Sequence, residues 1–281
     1  MKTYISCGIG DLICFDSFLT QAERNSISEI YWGCRFGKLM APLLEENFFY
    51  PNLKKQYFID DEVGKKHWIQ QGHEPSHWTF WHFRSDIPQD YKLALELFNI
   101  KEDEVQDFTP INLYNDTNRR YNGSSFLYNA CKEDINWSEL ETTPGKYILV
   151  HYPTSTRPRN DISKIFDDDW SLLEKTSKEK NLNILVITDT AIDLPFKNFK
   201  ILHMPSLKTI VALAKYAGYY FGCDSFVSIL CSRILAHNRL NIKSPRQNIK
   251  ESLPTHTWNH KYFAPHKPEI IQKFYHYGPT A

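Results

Sequence analysis

Short apolar runs broken by glycine, proline and polar clusters recur along this chain, and they alternate with stretches of helical spacing. The pattern is plainest in the second half. Lys146–His151, Asn183–Thr188, Lys200–Met204 and Tyr219–Cys223 each read as a short buried strand. Between them, Asp167-Asp168-Asp169 ahead of Trp170 marks an acidic helix start. Ser206 can cap a helix running to about Tyr216, and Asp224-Ser225 can cap one running to about Ala236. In the first half, strands are expected at Thr3–Cys7, Ile30–Trp32, Gln56–Ile59 and Ile111–Leu113. Helices are expected over Asp11–Gln21, Phe36–Leu44 and Tyr91–Phe98. Lys65–Ser85, crowded with Trp, His, Phe and Gln, shows no clear period, and Asn115–Ser125 reads as a polar loop. Pro268–Tyr277 reads as a terminal helix.

Strands alternating with helices imply parallel, doubly wound α/β sheets. Two segments share one design. Tyr4-Ile5-Ser6-Cys7-Gly8-Ile9-Gly10-Asp11-Leu12 and Ala217-Gly218-Tyr219-Tyr220-Phe221-Gly222-Cys223-Asp224-Ser225 each give a strand, a glycine turn, an acid and a helix. The expectation is two Rossmann-like halves facing each other across a cleft, since open α/β sheets bind ligands at their strands' carboxyl ends. The boundary is expected near Thr142-Thr143-Pro144-Gly145, giving domains 1–143 and 144–265 and a final segment 266–281.

Composition narrows the function class. A length of 281 residues suits two such domains, and 42% apolar with 23% charged residues is ordinary for a globular protein. Lysine plus arginine equals aspartate plus glutamate, so no global field favours nucleic acid. No apolar run is long enough to span a membrane, and no leader-peptide pattern opens the chain. Six cysteines without a CxxC pair fit a reducing, cytoplasmic setting.

His73-Glu74-Pro75-Ser76-His77 matches the zinc-protease HExxH spelling, but Pro75 breaks the helix that would align the two histidines, so no metal site is expected. Gly8-Ile9-Gly10-Asp11 allows close backbone approach to an anion. A dinucleotide fingerprint would need glycine where Ile13 stands, and an acid at the end of the second strand, where Trp32-Gly33 stand. Asp11 is a helix cap or a general base. His151-Tyr152-Pro153-Thr154-Ser155-Thr156-Arg157-Pro158-Arg159 follows a strand with hydroxyls and two guanidinium groups, which suit phosphate, or form a solvated loop. Arg233, Arg239, Lys243, Arg246 and Lys250 form a basic stretch, usually a solvated face.

Together these residues resemble the ADP-heptose:lipopolysaccharide heptosyltransferases, a glycosyltransferase family (family 9-like). The shared features are the opening Gly8-Ile9-Gly10-Asp11 turn, the loop Thr154-Ser155-Thr156-Arg157-Pro158-Arg159, the segment Leu202-His203-Met204-Pro205-Ser206-Leu207, and Asp224-Ser225 after a strand. Phe226 stands where that family has glycine, and Ile229 where it usually has histidine. Residues 47–134 carry no part of the likeness.

The resemblance implies a GT-B fold, with the donor bound mainly by the second domain and the terminal helix returning to the first. It implies an inverting, metal-independent transfer from a nucleotide-sugar, which is the substrate rather than a cofactor, to a glycan or lipid-linked glycan. Asp11 would be the base. Gly8, Gly10, Thr154, Ser155, Arg157, Arg159, Asp224 and Ser225 would bind the donor. The setting would be cytoplasmic, with at most peripheral contact to the inner membrane and no nucleic-acid partner. Two alternatives stay open: a degenerate relative that binds a nucleotide or glycan without turnover, and an NAD-dependent oxidoreductase, disfavoured by Ile13.

Overall fold

Among the described residues every strand pair is parallel, and the strands form two separate sheets. The computed structural model describes residues 1–72, 74, 83, 85, 87–107, 122–151, 170–188, 199–203, 205–223, 225–235 and 239–243. The chain divides into two units, Met1–Asn129 and Ala130–Ala281.

In the first unit, β1 (Lys2–Ile5), β2 (Glu29–Trp32), β3 (Lys55–Phe58) and β4 (Gln106–Asp107) lie in the order β3-β2-β1-β4. Tyr4 stands beside Tyr31 and Ile5 beside Trp32. Among the described residues these strands are connected by α1 (Ile9–Phe18), α2 (Gln21–Ser26), α3 (Gly37–Glu45), α4 (Asp61–Gln70) and α5 (Pro88–Phe98). Aromatic rings fill the core. Tyr4, Tyr31 and Phe83 are buried among Tyr57, Tyr91 and Phe98, with Tyr31 stacked on Tyr57 at 4.6 Å. This accounts for the aromatic weight of the first half: short strands gain burial from large rings.

Helix α1 is buried from Leu12 to Phe18, Asp16 included. A buried carboxylate must be paired and hydrogen-bonded. Asp16 accepts from Arg24 Nε at 3.2 Å, the Tyr50 hydroxyl at 2.8 Å, Ser125 Oγ at 2.5 Å and N–H at 2.6 Å, and Ser124 Oγ at 3.1 Å. Arg24 also donates to the carbonyls of Asp16 and Gly123. Asp16 thereby joins α1 and α2 to Tyr50 and to the start of α6 (Ser125–Asn129).

In the second unit, β5 (Tyr147–His151), β6 (Asn183–Thr188), β7 (Phe199–His203), β8 (Tyr219–Cys223) and β9 (Leu240–Lys243) lie in the order β7-β6-β5-β8-β9. The helices are α7 (Trp137–Leu140), α8 (Trp170–Lys180), α9 (Leu207–Tyr216) and α10 (Phe226–Ser232). Ile148, Val150, Ile184, Val186 and Phe221 form one core face with Trp170 and Leu173 of α8. Helix α9 buries Leu207, Ile210, Val211 and Leu213. The buried Tyr147 hydroxyl donates to the Leu213 carbonyl at 2.6 Å.

Both sheets are parallel and Rossmann-like, so the expected α/β class stands. The details differ from expectation. Residues 130–142 pack with the second unit: Lys215 donates to the Ala130 carbonyl, Lys208 pairs with Asp134 at 3.2 Å, and Trp137 meets the rings of Tyr147 and Tyr216. These contacts place the division before the expected Thr142–Gly145 boundary. Strand β1 ends at Ile5, and α10 stops at Ser232 rather than Ala236. Helices α2 and α4 and strands β4 and β9 are additions to the expected elements. The expected strand 111–113, helix start 167–169 and terminal helix 268–277 lie outside the described residues.

Candidate functional site

Each sheet reverses its strand order at one place. In the first, the chain steps from β1 outward to β3 and returns to lay β4 on the other side of β1. In the second, it steps from β5 to β7 and returns to lay β8 beside β5. At such switch points the connections leave in opposite directions and open a crevice at the carboxyl ends of the strands. Both strand–turn–helix segments singled out above sit at these two places.

At the first switch point, Gly8 is the N-cap of α1, and Gly10 and Asp11 lie in its first turn. Asp11 Oδ2 accepts the Gly8 N–H at 3.0 Å. A β-carbon on Gly8 would stand 3.2 Å from that oxygen, so glycine lets the carboxylate fold back closely. The structure thus shows Asp11 as a cap, half-buried at the strand's carboxyl end. Beside it are Cys7, which follows β1, and Cys34, which follows β2, both buried. Burial pushes the Cys7 thiol well up, with further contributions from Cys34 and the Asp11 charge. Burial also pushes Cys34 up to about 12, against backbone donors from Cys7, Phe36 and Gly37. Neutral thiols therefore floor this turn.

At the second switch point, β5 ends at His151, which lies in register with Gly222 of β8. A side chain at 222 would meet the Tyr220 hydroxyl at 2.6 Å and the His151 carbonyl at 3.0 Å, so only glycine lets the two strands close here. Past β8, Ser225 is the N-cap of α10. His151 Nδ1 and Ser225 Oγ are 2.8 Å apart. Ser225 Oγ also accepts the Ser228 N–H at 3.4 Å, while Ser228 Oγ accepts the Ser225 N–H at 2.9 Å and donates to the Ser225 carbonyl at 2.6 Å. Phe226 meets the His151 ring edge-on, with centroids 6.0 Å apart. Ile229 is buried. An imidazole and a hydroxyl thus meet at the edge where the sequence placed the donor.

Of the expected site residues, Gly8, Gly10 and Asp11 share the first turn and Ser225 stands at the second. Thr154, Ser155, Arg157, Arg159 and Asp224, like His73 and His77, lie outside the described residues. His151, expected as the last residue of a strand, is not among the expected site residues. Its signal was a polar ring closing an otherwise apolar strand. In the basic stretch, Arg239 is exposed and lies over the Tyr219 ring at 5.9 Å, and Lys243 belongs to β9. Among the described residues, no group of three or more His, Cys, Asp or Glu is placed to hold a metal ion, and no helix is long and apolar enough to cross a membrane.

No family model matches the chain, and no curated protein matches it by sequence. Among solved structures it is similar to the glycosyl transferase family 9 from Veillonella parvula DSM 2008, with TM-score 0.47 and 11% identity over 86% of this chain and 79% of that one. It is also similar to UDP-GlcNAc 2-epimerase from Methanocaldococcus jannaschii, with TM-score 0.43 and 10% identity over 92% of this chain and 87% of that one.

Proposed function

We propose that this protein is a GT-B-type glycosyltransferase whose second unit binds a nucleotide-activated sugar at the β5/β8 switch point. The observation that carries the reading is the His151–Ser225 pair at that edge, 2.8 Å apart. Hydroxyl and imidazole groups at a strand's carboxyl end suit a phosphate oxygen. Thr154, Ser155, Arg157 and Arg159 follow β5 directly in sequence and would add donors to the same diphosphate. Asp224, Gly8 and Gly10 complete the proposed set.

In this chemistry an acceptor hydroxyl attacks the anomeric carbon, the bond from that carbon to the diphosphate oxygen breaks, and the acceptor proton passes to a carboxylate. Asp11 is the proposed base. Its Oδ2 is tied to the Gly8 N–H, which fixes the carboxylate's direction. The hydroxyl, guanidinium and backbone donors meet the charge left on the departing nucleoside diphosphate. Inversion, independence from metal, a glycan or lipid-linked acceptor and a cytoplasmic setting belong to this proposal.

Phe226 and Ile229, standing where the resembled family has glycine and histidine, favour a second reading: a relative that binds nucleotide without transfer. Calorimetry with ADP, UDP, GDP and CDP, followed by a nucleoside-diphosphate release assay with the matching sugars, separates the two. Binding with release supports the transferase, and binding without release supports the binding relative. Absence of binding by any of the four sinks both. The NAD reading remains disfavoured by Ile13, a buried residue of α1 standing where a third glycine would be needed.

A further inference from the structure

We infer that Phe48, Phe49 and Tyr128 form a carbohydrate-binding platform on the first unit, apart from the proposed transfer site. The inference goes beyond the donor reading and does not depend on it. Phe48 and Tyr128 are 65% and 63% exposed, and Phe49, in ring contact with both, is half-buried. The Phe48 and Phe49 centroids are 4.2 Å apart with their planes at 32°, and those of Phe49 and Tyr128 are 6.0 Å apart at 47°. The buried Arg24 guanidinium lies 5.8 Å from the Phe49 centroid and backs the row.

Rings in water cost free energy, and a loop free to move would fold them against the surface. Here the backbone is tied on several sides. The Phe48 N–H donates to Asn129 Oδ1 at 3.2 Å, and Asn129 Nδ2 donates to the Glu46 carbonyl at 3.1 Å. The Phe49 N–H donates to Asn47 Oδ1 at 3.0 Å, and Gln21 Nε2 donates to the Phe49 carbonyl at 2.9 Å. Asn47 is buried, and its Nδ2 donates to Ser125 Oγ at 2.8 Å. The Tyr128 ring lies against Gly123, where a β-carbon would come within 2.9 Å of it. Helices α2 and α6 and the loop after α3 thus hold the three rings in place, so little freedom is lost when a ligand lands on them.

The chemistry of the patch suits a sugar. Aromatic faces are negative, and the C–H groups on one face of a pyranose with equatorial hydroxyls are their electropositive complement. The carboxyl end of α3 and the exposed Glu45 add negative charge beside the rings, which suits hydroxyl donors and opposes an anionic bilayer. Area argues against a protein partner. Two rings of about 150–250 Å² each, exposed by about two-thirds, offer roughly 200–300 Å², whereas a stable interface takes about 800 Å² from each partner. A short oligosaccharide fits the smaller footprint. The loop leads into β3 at the amino edge of the sheet, while Gly8–Asp11 follow β1 at the carboxyl edge. The platform is therefore a second sugar contact and not the acceptor position at Asp11.

The test is calorimetry of the full chain with cellotetraose, maltoheptaose and chitotetraose, in the absence of nucleotide. At least one is expected to bind, with Phe48→Ala and Tyr128→Ala each weakening it by about three- to tenfold. Phe48→Trp, which keeps an aromatic face, is expected to bind as well as the parent or better, and Asp11→Asn to bind as the parent does. Thermal melts check that every variant folds, and Phe48→Trp reads the site without removing its ring. The inference is overturned if none of the three sugars binds at millimolar concentration, or if a bound sugar is indifferent to both alanine variants. It is equally overturned if no sugar binds and Phe48→Ala instead releases the protein from phosphatidylcholine–phosphatidylglycerol vesicles, or dissolves a dimer seen by sedimentation. If a sugar binds through these rings while no nucleoside diphosphate binds, the platform stands and the donor-site reading alone falls.

Discussion

Asp16 and Arg24 form an interior ion pair, with Nε 3.2 Å from Oδ1 and side chains 0% and 5% exposed. Two features let a buried pair persist: bonds to the remaining lone pairs and N–H groups, and a cavity shaped to both. Here the carboxylate also takes bonds from Tyr50, Ser124 and Ser125, and the guanidinium bonds the Asp16 and Gly123 carbonyls.

Arg24→Leu should therefore destabilise the first unit by about 3–5 kcal/mol, because it leaves Asp16 buried without a counter-charge. A lower urea midpoint with unchanged secondary structure in buffer is the expected outcome. A midpoint equal to the parent's would show that the hydroxyl and amide bonds suffice alone.

Gly33 and Tyr4 exclude each other's growth. The Tyr4 hydroxyl donates to the Phe83 carbonyl and occupies the space a β-carbon at 33 would need. Gly33→Ala should cost about 1–3 kcal/mol through overpacking. Tyr4→Phe in the same chain should restore part of that loss, although the ring carbons still crowd the position. A double-mutant cycle in urea reads the coupling.

Stability should fall on the alkaline side. Cys7, Cys34, Cys231, Tyr50 and Tyr147 are all pushed up, chiefly by burial, so the folded state holds protons that the unfolded chain releases first. These groups leave stability flat below the thiols' unfolded range. Above about pH 9 the unfolded chain binds fewer protons, and each such thiol lowers stability by about 1.4 kcal/mol per pH unit until its folded value is passed. For Cys34 that window closes at about 12. Cys34→Ala should flatten the slope by its own share, which urea midpoints measured across this range would show.

Asp11→Asn should keep the cap, since its amide oxygen can still accept the Gly8 N–H, while transfer drops by about a hundredfold or more. Steady-state rates beside a thermal melt check it. Normal turnover in the folded variant would leave Asp11 a cap and nothing more.

Arg157→Ala or Arg159→Ala should weaken binding of a nucleoside diphosphate by about 1.5–3 kcal/mol, the range for hydrogen bonds to charged groups. Calorimetry gives the difference directly. Unchanged affinity in both would move the proposed phosphate contacts off this loop.

Strands β5 to β8 of the second unit were legible because each is an apolar run bounded by turn residues, and the parallel class followed from their alternation with helices. Strand β4 was not. It is two polar residues, Gln106 and Asp107, held by β1 rather than by any pattern of its own. Strand β9 was hidden in a basic stretch, since Asn241 and Lys243 alternate with the apolar positions. Helix α2 did carry a readable signal, the Thr20–Glu23 capping box, in a stretch whose polarity drew attention away from it. The Gly8–Asp11 turn was legible as chemistry, but its choice between cap and base was not, because that choice rests on what else reaches the carboxylate. The His151–Ser225 contact joins residues 74 apart, and only the pairing of β5 with β8 brings them together.

The Asp16 cluster also fixes when the first unit can form during synthesis. Its hydroxyl and amide donors at Ser124 and Ser125 lie 108 and 109 residues beyond the carboxylate they satisfy. A nascent chain that has emerged only through β3 already contains α1 and Arg24, yet burying Asp16 then would leave the charge short of three of its bonds. Loop closure over such a separation comes late. Full burial of α1 is therefore expected to wait until residue 125 has left the ribosome, which pulse-labelled hydrogen exchange on stalled nascent chains of increasing length would read.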